Sequence, residues 1–158
     1  MIDATPILYG NRIMTDFFAH ARTAIADRIE RFRNRDFLEA TMAASALVSM
    51  ADGKVKLTEA NVIDQALDAV HELNIYDPHD AVDLFRHHLD ELQADEGSAR
   101  EKILKIVQKV AGDEEEAHIL IKVCVAIGKS DEEFIEAEKI AIREIAATLG
   151  LDPAAIEM

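Results

Sequence analysis

Apolar residues recur every three to four positions along most of the chain, which is the spacing of helices with one buried face. No stretch alternates with the period of two that a strand requires. Residues 1–10 are predicted to be a loose tail. The seven predicted helices cover 11–33, 36–50, 58–73, 77–92, 98–112, 113–128 and a last segment that ends at Gly150.

Polar residues and one proline mark where several of these helices begin. Thr58 is a predicted N-cap, Pro78 suits a first helical position, and Asp113 begins a helix with an acidic first turn. Ser98, followed three residues later by Glu101, predicts a capping box.

Glycines mark where helices end. Gly53, Gly112, Gly128 and Gly150 each follow an apolar helical run, and glycine is the residue that most often terminates a helix. The apolar positions between these boundaries predict the buried faces. In the second, sixth and seventh helices they are Phe37, Leu38, Met42, Ala46, Leu47, Met50, Ile119, Leu120, Val123, Cys124, Ala126, Ile127, Ile140, Ala141, Ile142, Ile145 and Leu149.

The composition agrees with a single all-α domain spanning 1–158. Apolar residues make up 49% of the chain but aromatic residues only 5%, with three prolines and six glycines, which favours helices over sheets. No apolar run approaches the roughly 18 residues needed to span a bilayer, and the first residues lack a secretory signal pattern. We therefore expect a cytoplasmic protein, with peripheral association at the inner face of the membrane left open.

The net charge of −14 is unevenly distributed. Residues 1–40 are neutral, so the rest of the chain carries the whole acidic excess. Such a body repels phosphates, which argues against nucleic acid as a partner and favours cations or basic protein surfaces. The predicted helix 11–33 and the residues after it form a basic edge that either packs on the domain or approaches a partner or membrane surface. The basic residues of that edge are Arg22, Arg28, Arg31, Arg33 and Arg35.

The chain contains two similar acidic loops, at 52–58 and 130–137, each between two predicted helices. In each loop an aspartate is followed by an apolar residue three positions later and a glutamate seven positions later, which indicates two duplicated helix-loop-helix halves. The apolar residue is predicted to fill the core and hold the two helix ends together. The matching positions are Asp52, Val55 and Glu59 in the first loop and Asp131, Phe134 and Glu138 in the second.

These carboxylates predict a cation site if the two loops lie close together. Clustered carboxylates repel unless a cation, protons or basic side chains compensate, and oxygen ligands suit Ca²⁺, Mg²⁺ or Mn²⁺ better than Zn²⁺. Glu132, Glu133 and Glu136 would contribute at the periphery. The alternative is that the acids are ordinary first-turn and turn-capping residues that need no ion.

Two segments of the chain carry a family pattern. The first half contains A-D-G-K-V-K-L-T-E, and the second contains A-I-G-K-S-D-E-E-F-I-E-A-E-K-I-A-I-R-E-I-A-A-T-L-G-L-D-P-A. Both resemble the TerB tellurite-resistance family. The resemblance extends over nearly the whole chain, including R-F-R-N-R-D-F-L-E-A-T before the first loop. It implies an all-helical, internally duplicated fold and a role in resistance to tellurium ions and chemical stress. It also implies a partner at the cytoplasmic face, the membrane protein TerC.

The resemblance further implies an acidic, metal-responsive site, and the family's acidic positions correspond here to Asp52, Glu59, Asp131 and Glu138. One residue departs from the family pattern, because Glu132 stands where the second loop commonly has glycine. This substitution puts the equivalence of the two loops in question.

Other chemistries find less support in the sequence. The motifs of nucleophilic hydrolases, phosphate-binding loops and dinucleotide-binding folds are missing, so we do not expect an enzyme. Cys124 lies in an apolar run and is expected to be a buried structural thiol. His87 and His88 are neighbours and point about 100° apart on a helix, so the histidines are expected at the surface or half-buried rather than as zinc ligands.

The sequence therefore predicts a compact bundle of about seven helices that acts as an acidic, divalent-cation-responsive binding module in tellurite resistance. The alternative is a metal-free scaffold or adaptor that docks a membrane-bound partner of the TerC kind. No cofactor is expected other than the divalent cation, and a homodimer remains open.

Overall fold

The computed structural model of the chain describes residues 35–51, 53, 78–129 and 133–158. This part of the chain is helical and contains no strand, which confirms the all-α prediction for it. Residues 35–49 form helix α1. The elements that follow are α2 (Pro78–Ala94), α3 (Glu96–Gln108), α4 (Glu114–Gly128), α5 (Glu136–Thr148) and a 3-10 turn (Pro153–Ala155).

Several predicted segments lie outside the described residues. These are the tail 1–10, the helices 11–33 and 58–73, and most of the first acidic loop. The count of seven helices and the duplication of the two halves therefore stay predictions. The described residues from 36 onward belong to one compact unit.

From residue 40 to its end, helix α1 is buried on all sides. Every residue from 40 to 49 is buried, including the three polar residues Thr41, Ser45 and Ser49. The Thr41 hydroxyl donates a hydrogen bond to the Phe37 carbonyl at 2.7 Å, and the Ser45 hydroxyl donates to the Thr41 carbonyl at 2.6 Å. Small polar residues that bond back to the preceding turn can be buried at little cost. Ser49 Oγ, by contrast, is buried without a hydrogen-bond partner among the described residues. A helix with so few exposed residues lies in the core of its fold.

The remaining helices surround this core. Helix α2 packs against α3, α3 packs against α5, and α5 packs against α4 and the 3-10 turn. An ion pair between Arg100 and Glu144 joins α3 to α5, and a second between Lys102 and Glu91 joins α3 to α2. The apolar faces of all these helices contribute to a single buried cluster.

Local chemistry sets most of the helix boundaries where the sequence predicts them. Helix α2 begins at Pro78, and the Asp113 carboxylate caps α4 by accepting the Glu116 N–H at 3.1 Å. Gly53 and Gly150 have positive φ values of 78° and 79°. At the end of α5 the Gly150 N–H bonds to the Ala147 carbonyl at 3.0 Å, and the next N–H reaches back to the Ala146 carbonyl at 2.9 Å. This pair of bonds is the Schellman motif.

The predicted capping box at Ser98 is wrong. Helix α3 begins at Glu96, and its N-cap is Asp95, whose carboxylate accepts the Ser98 N–H at 3.2 Å. Aspartate caps a helix at least as well as serine, and α2 ends immediately before it at Ala94. The break between the two helices is therefore a single residue.

Three other expectations are also corrected. Helix α3 ends at Gln108 rather than Gly112, because the Val110 and Ala111 N–H groups bond three residues back and tighten the chain into a turn. Ala126 of α4 is exposed. Ile140 of α5 is 55% exposed, since the run 140–142 is apolar throughout and a helix cannot bury three consecutive positions on one face.

Candidate functional site

The predicted acidic site lies only partly within the described residues. Glu133, Glu136 and Glu138 of the second loop are described, as is the apolar residue Phe134. The remaining predicted contributors lie outside the described residues, and their proximity stays a prediction. They are Asp52, Glu59, Asp131 and Glu132.

Glu138 is the one deeply buried carboxylate among the described residues, with 2% of its surface exposed. It lies in the first turn of α5, where the helix dipole and the unpaired backbone N–H groups favour negative charge. Helices α3 and α4 carry an aspartate N-cap, whereas the N-cap residue of α5, Ile135, makes no side-chain cap hydrogen bond. A glutamate is almost never fully buried unless its charge is compensated.

Glu136 and Glu133 have different surroundings from Glu138. Glu136 accepts a hydrogen bond from the Arg143 guanidinium at 3.0 Å; the Glu136 side chain is largely exposed and that of Arg143 is partly exposed. Glu133 is also exposed. Exposed pairs of this kind contribute about 0–1 kcal/mol, so Glu136 is accounted for as a surface ion pair.

Phe134 holds the second loop against the helix before it, as predicted. Its ring lies directly on Gly128, the last residue of α4, and a Cβ built at Gly128 would come within 2.6 Å of the ring. The ring also packs against the apolar core, and the Lys139 ammonium lies 5.4 Å from its centroid. Phe134 therefore ties the end of α4 to the segment that leads into α5. Val55, the matching residue of the first loop, lies outside the described residues.

The predicted basic edge also lies almost entirely outside the described residues. Arg35 is described and is exposed at the start of α1. The other four arginines of the edge, Arg22, Arg28, Arg31 and Arg33, are not described, so their role stays a prediction.

The sequence prediction was wrong about His88, which was expected at the surface or half-buried and is instead fully buried. Its side chain is 1% exposed, and neither ring nitrogen has a hydrogen-bond partner among the described residues. Its Nδ1 lies 3.8 Å from Glu91 Oε2, and its Nε2 lies 3.9 Å from Glu39 Oε1 of α1. Both distances are too long for hydrogen bonds, and an unsatisfied buried polar group costs about 1–3 kcal/mol.

Two further residues complete this cluster on the surface side. His87 is 59% exposed, and its Nε2 lies 2.9 Å from Glu91 Oε1. The Lys102 ammonium of α3 also reaches that oxygen at 2.8 Å, and its hydrogen bond lowers the pKa of Glu91. Burial lowers the pKa of His88 and so does neighbouring His87, while Glu91 and Glu39 act in the opposite direction. The net effect favours the neutral imidazole of His88.

The thiol of Cys124 is buried in α4, as predicted. Burial raises its pKa to about 12, although a hydrogen bond with Ser45 acts in the opposite direction. A thiol that stays protonated is a poor nucleophile and a poor metal ligand.

An open cleft of about 600 Å³ separates α4 from the C-terminal segment. Its polar lining residues include His118, Lys122, Asp152 and Glu157, and all four are exposed. Because exposed side chains move freely, the cleft offers no fixed set of ligands. None of the described helices is long and apolar enough to cross a membrane.

Comparison with known proteins identifies the family. The sequence model of the family described as "Tellurite resistance protein TerB" matches residues 38–158, which is most of the chain. No significant match was found among curated proteins or among solved structures. The matched range begins within α1 and includes α2 to α5, the buried Glu138 and the Phe134 contact. The chain therefore belongs to the TerB family of tellurite resistance proteins.

Proposed function

We propose that this chain acts in tellurite resistance as an acidic binding module that responds to hard divalent cations. The observation that supports the proposal best is the burial of Glu138 in the first turn of α5, at one of the acidic positions that the family resemblance implies. A hard cation such as Ca²⁺, Mg²⁺ or Mn²⁺ takes oxygen ligands, and carboxylates are its usual protein ligands.

The proposed mechanism is charge relief. Asp52 and Glu59 of the first loop and Asp131 and Glu138 of the second repel one another in the absence of a cation. A bound cation offsets that repulsion and tightens the loops. Because Phe134 ties the second loop to the end of α4, a change at the loop is transmitted directly to the packing of α4 against α5.

Thermal unfolding in the presence of each ion tests this proposal. An ion that binds the folded state alone stabilises it by about 2.7 kcal/mol at 100 times its Kd, so the melting temperature rises. The change Glu138→Gln keeps the shape of the side chain and removes its charge, and it should abolish the rise. The double change Asp52→Asn with Asp131→Asn should do the same.

The matched control is Glu114→Gln. Glu114 is also a first-turn acid of its helix, but it is exposed and lies at the start of α4. Glu114→Gln should leave the rise in melting temperature with the cation unchanged. A melting temperature that no hard divalent ion raises in the wild-type protein would contradict the proposal.

The second candidate is a metal-free adaptor that works at the cytoplasmic face of the membrane. Its acidic surface would dock a membrane-bound partner of the TerC kind, and its basic edge would approach lipid headgroups. Exposed Arg35 is the observation that favours it. The double change Arg31→Glu with Arg35→Glu should then reduce binding to liposomes containing anionic lipid. Binding that survives this change would exclude the basic edge as the contact surface. Neither candidate function involves catalysis.

A further inference from the structure

Three potential metal ligands converge on one side of α2. His87, His88 and Glu91 each offer a ligand atom, and these atoms all lie within 4.8 Å of one another. The spacing explains the convergence, because Glu91 follows the two histidines by four and three residues and therefore lies between them on the helix surface. The two imidazole rings meet edge to face with centroids 5.2 Å apart.

We propose that His87, His88 and Glu91 form a binding site for a divalent transition metal, with Zn²⁺ as the representative ion. Two imidazoles and one carboxylate are a ligand set that Zn²⁺ uses when a fourth position is left for water. This ligand set also distinguishes the site from the acidic loops, whose oxygen ligands suit harder cations.

The ligand atoms lie near the distances that zinc requires, although each histidine faces a different oxygen of Glu91. A tetrahedral Zn²⁺ with ligands at 2.0–2.1 Å holds them about 3.3 Å apart. Here His87 Nε2 lies 2.9 Å from one oxygen of Glu91, and His88 Nδ1 lies 3.8 Å from the other. All three ligand atoms lie within 4.8 Å of one another, and the side chains that would rotate to close on one ion are exposed His87 and half-buried Glu91.

Buried His88 gives the site a fixed ligand. Its ring is held in the core, and its two nitrogens have no hydrogen-bond partner among the described residues. Oε2 of Glu91 is likewise buried without one. A metal between His88 Nδ1 and Glu91 Oε2 would satisfy both atoms. The opposite nitrogen of His88 faces Glu39 Oε1 at 3.9 Å, and a carboxylate on the far side of a metal-bound imidazole orients the ring and strengthens it as a ligand.

Lys102 limits the affinity of the site. Its ammonium occupies Oε1 of Glu91 at 2.8 Å and places a positive charge beside the ion. The lysine is more than half exposed, so it can swing away without disturbing the core. Because Lys102 is on α3 and Glu39 is on α1, metal binding on α2 would affect contacts with both neighbouring helices.

The test is titration of the full-length, chelator-treated protein with Zn²⁺ by isothermal calorimetry, and with Co²⁺ by visible absorption. We expect one Zn²⁺ per chain and a tetrahedral Co²⁺ spectrum. His87→Ala and Glu91→Gln should each weaken zinc binding by more than about 10-fold, since even residues behind the ligands change metal affinity by 10–100-fold. Lys102→Gln should strengthen it by about 10-fold, because a positive charge next to the ion is removed.

His118→Ala is the matched control. His118 is also exposed on a helix and lies 3.7 Å from a glutamate one turn away, Glu114, but it has no second histidine beside it. This variant should bind zinc as the wild type does. His87 is exposed, so His87→Ala should fold normally, and circular dichroism checks that it does.

Two results would overturn the proposal. The first is wild-type zinc affinity in both His87→Ala and Glu91→Gln. The second is an equal loss of affinity in His118→Ala, which would show that zinc binds to surface histidines in general. Neither result bears on the response to Ca²⁺ or Mg²⁺, which are not transition metals, so this site and the acidic loops are tested independently.

Discussion

The contact between Phe134 and Gly128 can be tested by adding a single methyl group. In Gly128→Ala the new Cβ would lie 2.6 Å from the Phe134 ring at its nearest atom and 3.0 Å at the next, well inside van der Waals contact. The backbone at Gly128 is not in the left-handed region, so alanine fits the helix there, and the three nearest atoms that its Cβ would meet all belong to the ring. The ring must therefore move out of its place at the edge of the core.

The size of the effect follows from two opposing contributions. Overpacking of this kind costs about 1–3 kcal/mol, whereas replacing glycine by alanine within a helix gains up to about 1 kcal/mol. We expect Gly128→Ala to lower the free energy of unfolding by about 1–2 kcal/mol. For a chain of this length that corresponds to a fall in melting temperature of about 2–8 °C.

A double-mutant cycle measured by urea unfolding isolates the contact. In the Phe134→Ala background the clash is gone, so adding Gly128→Ala should now be neutral or stabilise by up to about 1 kcal/mol. Gly112→Ala is the matched control, because a Cβ at Gly112 meets nothing within 4 Å. If Gly128→Ala destabilises equally with and without the Phe134 ring, the ring is not what excludes a side chain at that position.

Three further predictions concern titratable groups. In chelator-containing buffer, the free energy of unfolding should fall as the pH drops below 6.5, because the buried His88 has a lowered pKa and takes up its proton more readily in the unfolded chain. The slope is at most about 1.4 kcal/mol per pH unit. Urea unfolding of His88→Gln should show a flatter pH profile in this range. The lowered pKa of Glu91 adds a second loss of stability that begins only below pH 4.5, and Glu91→Gln should remove it. Because the pKa of the Cys124 thiol is raised to about 12, the thiol should resist alkylation at pH 8 in the folded protein and react at once in denaturant. Rapid alkylation without denaturant would contradict the burial of Cys124.

Helix boundaries were predictable wherever one residue dictates the local backbone. Pro78 can start a helix but cannot continue one, and Gly150 accepts the positive φ that ends α5. The start of α3 was not predictable in this way, because Asp95 and Ser98 are both good caps. Which of them is used depends on where α2 ends, and that is decided by packing.

The buried face of a helix was harder to predict where apolar residues are continuous. In α5, Ile140, Ala141 and Ile142 are consecutive, and only the tertiary contacts decide that Ile140 faces outward. In α1 the reverse holds, since Thr41 and Ser45 look like surface residues but are buried with their hydroxyl groups bonded to the helix itself.

The histidine cluster could have been found in the sequence. Adjacent histidines do point in different directions, but a glutamate three and four residues later lies between them and can reach both. What the sequence could not reveal is that His88 is buried, because that depends on how α2 packs against its neighbours.

The most direct test of the proposed function is calorimetric titration of the wild-type chain and of Glu138→Gln with Mg²⁺, Ca²⁺ and Mn²⁺ in turn. We predict saturable binding heat for at least one of these ions in the wild type. This heat should be lost when the Glu138 charge is removed. An identical isotherm for the two proteins, or no binding heat in either, would contradict a cation site built around this buried carboxylate.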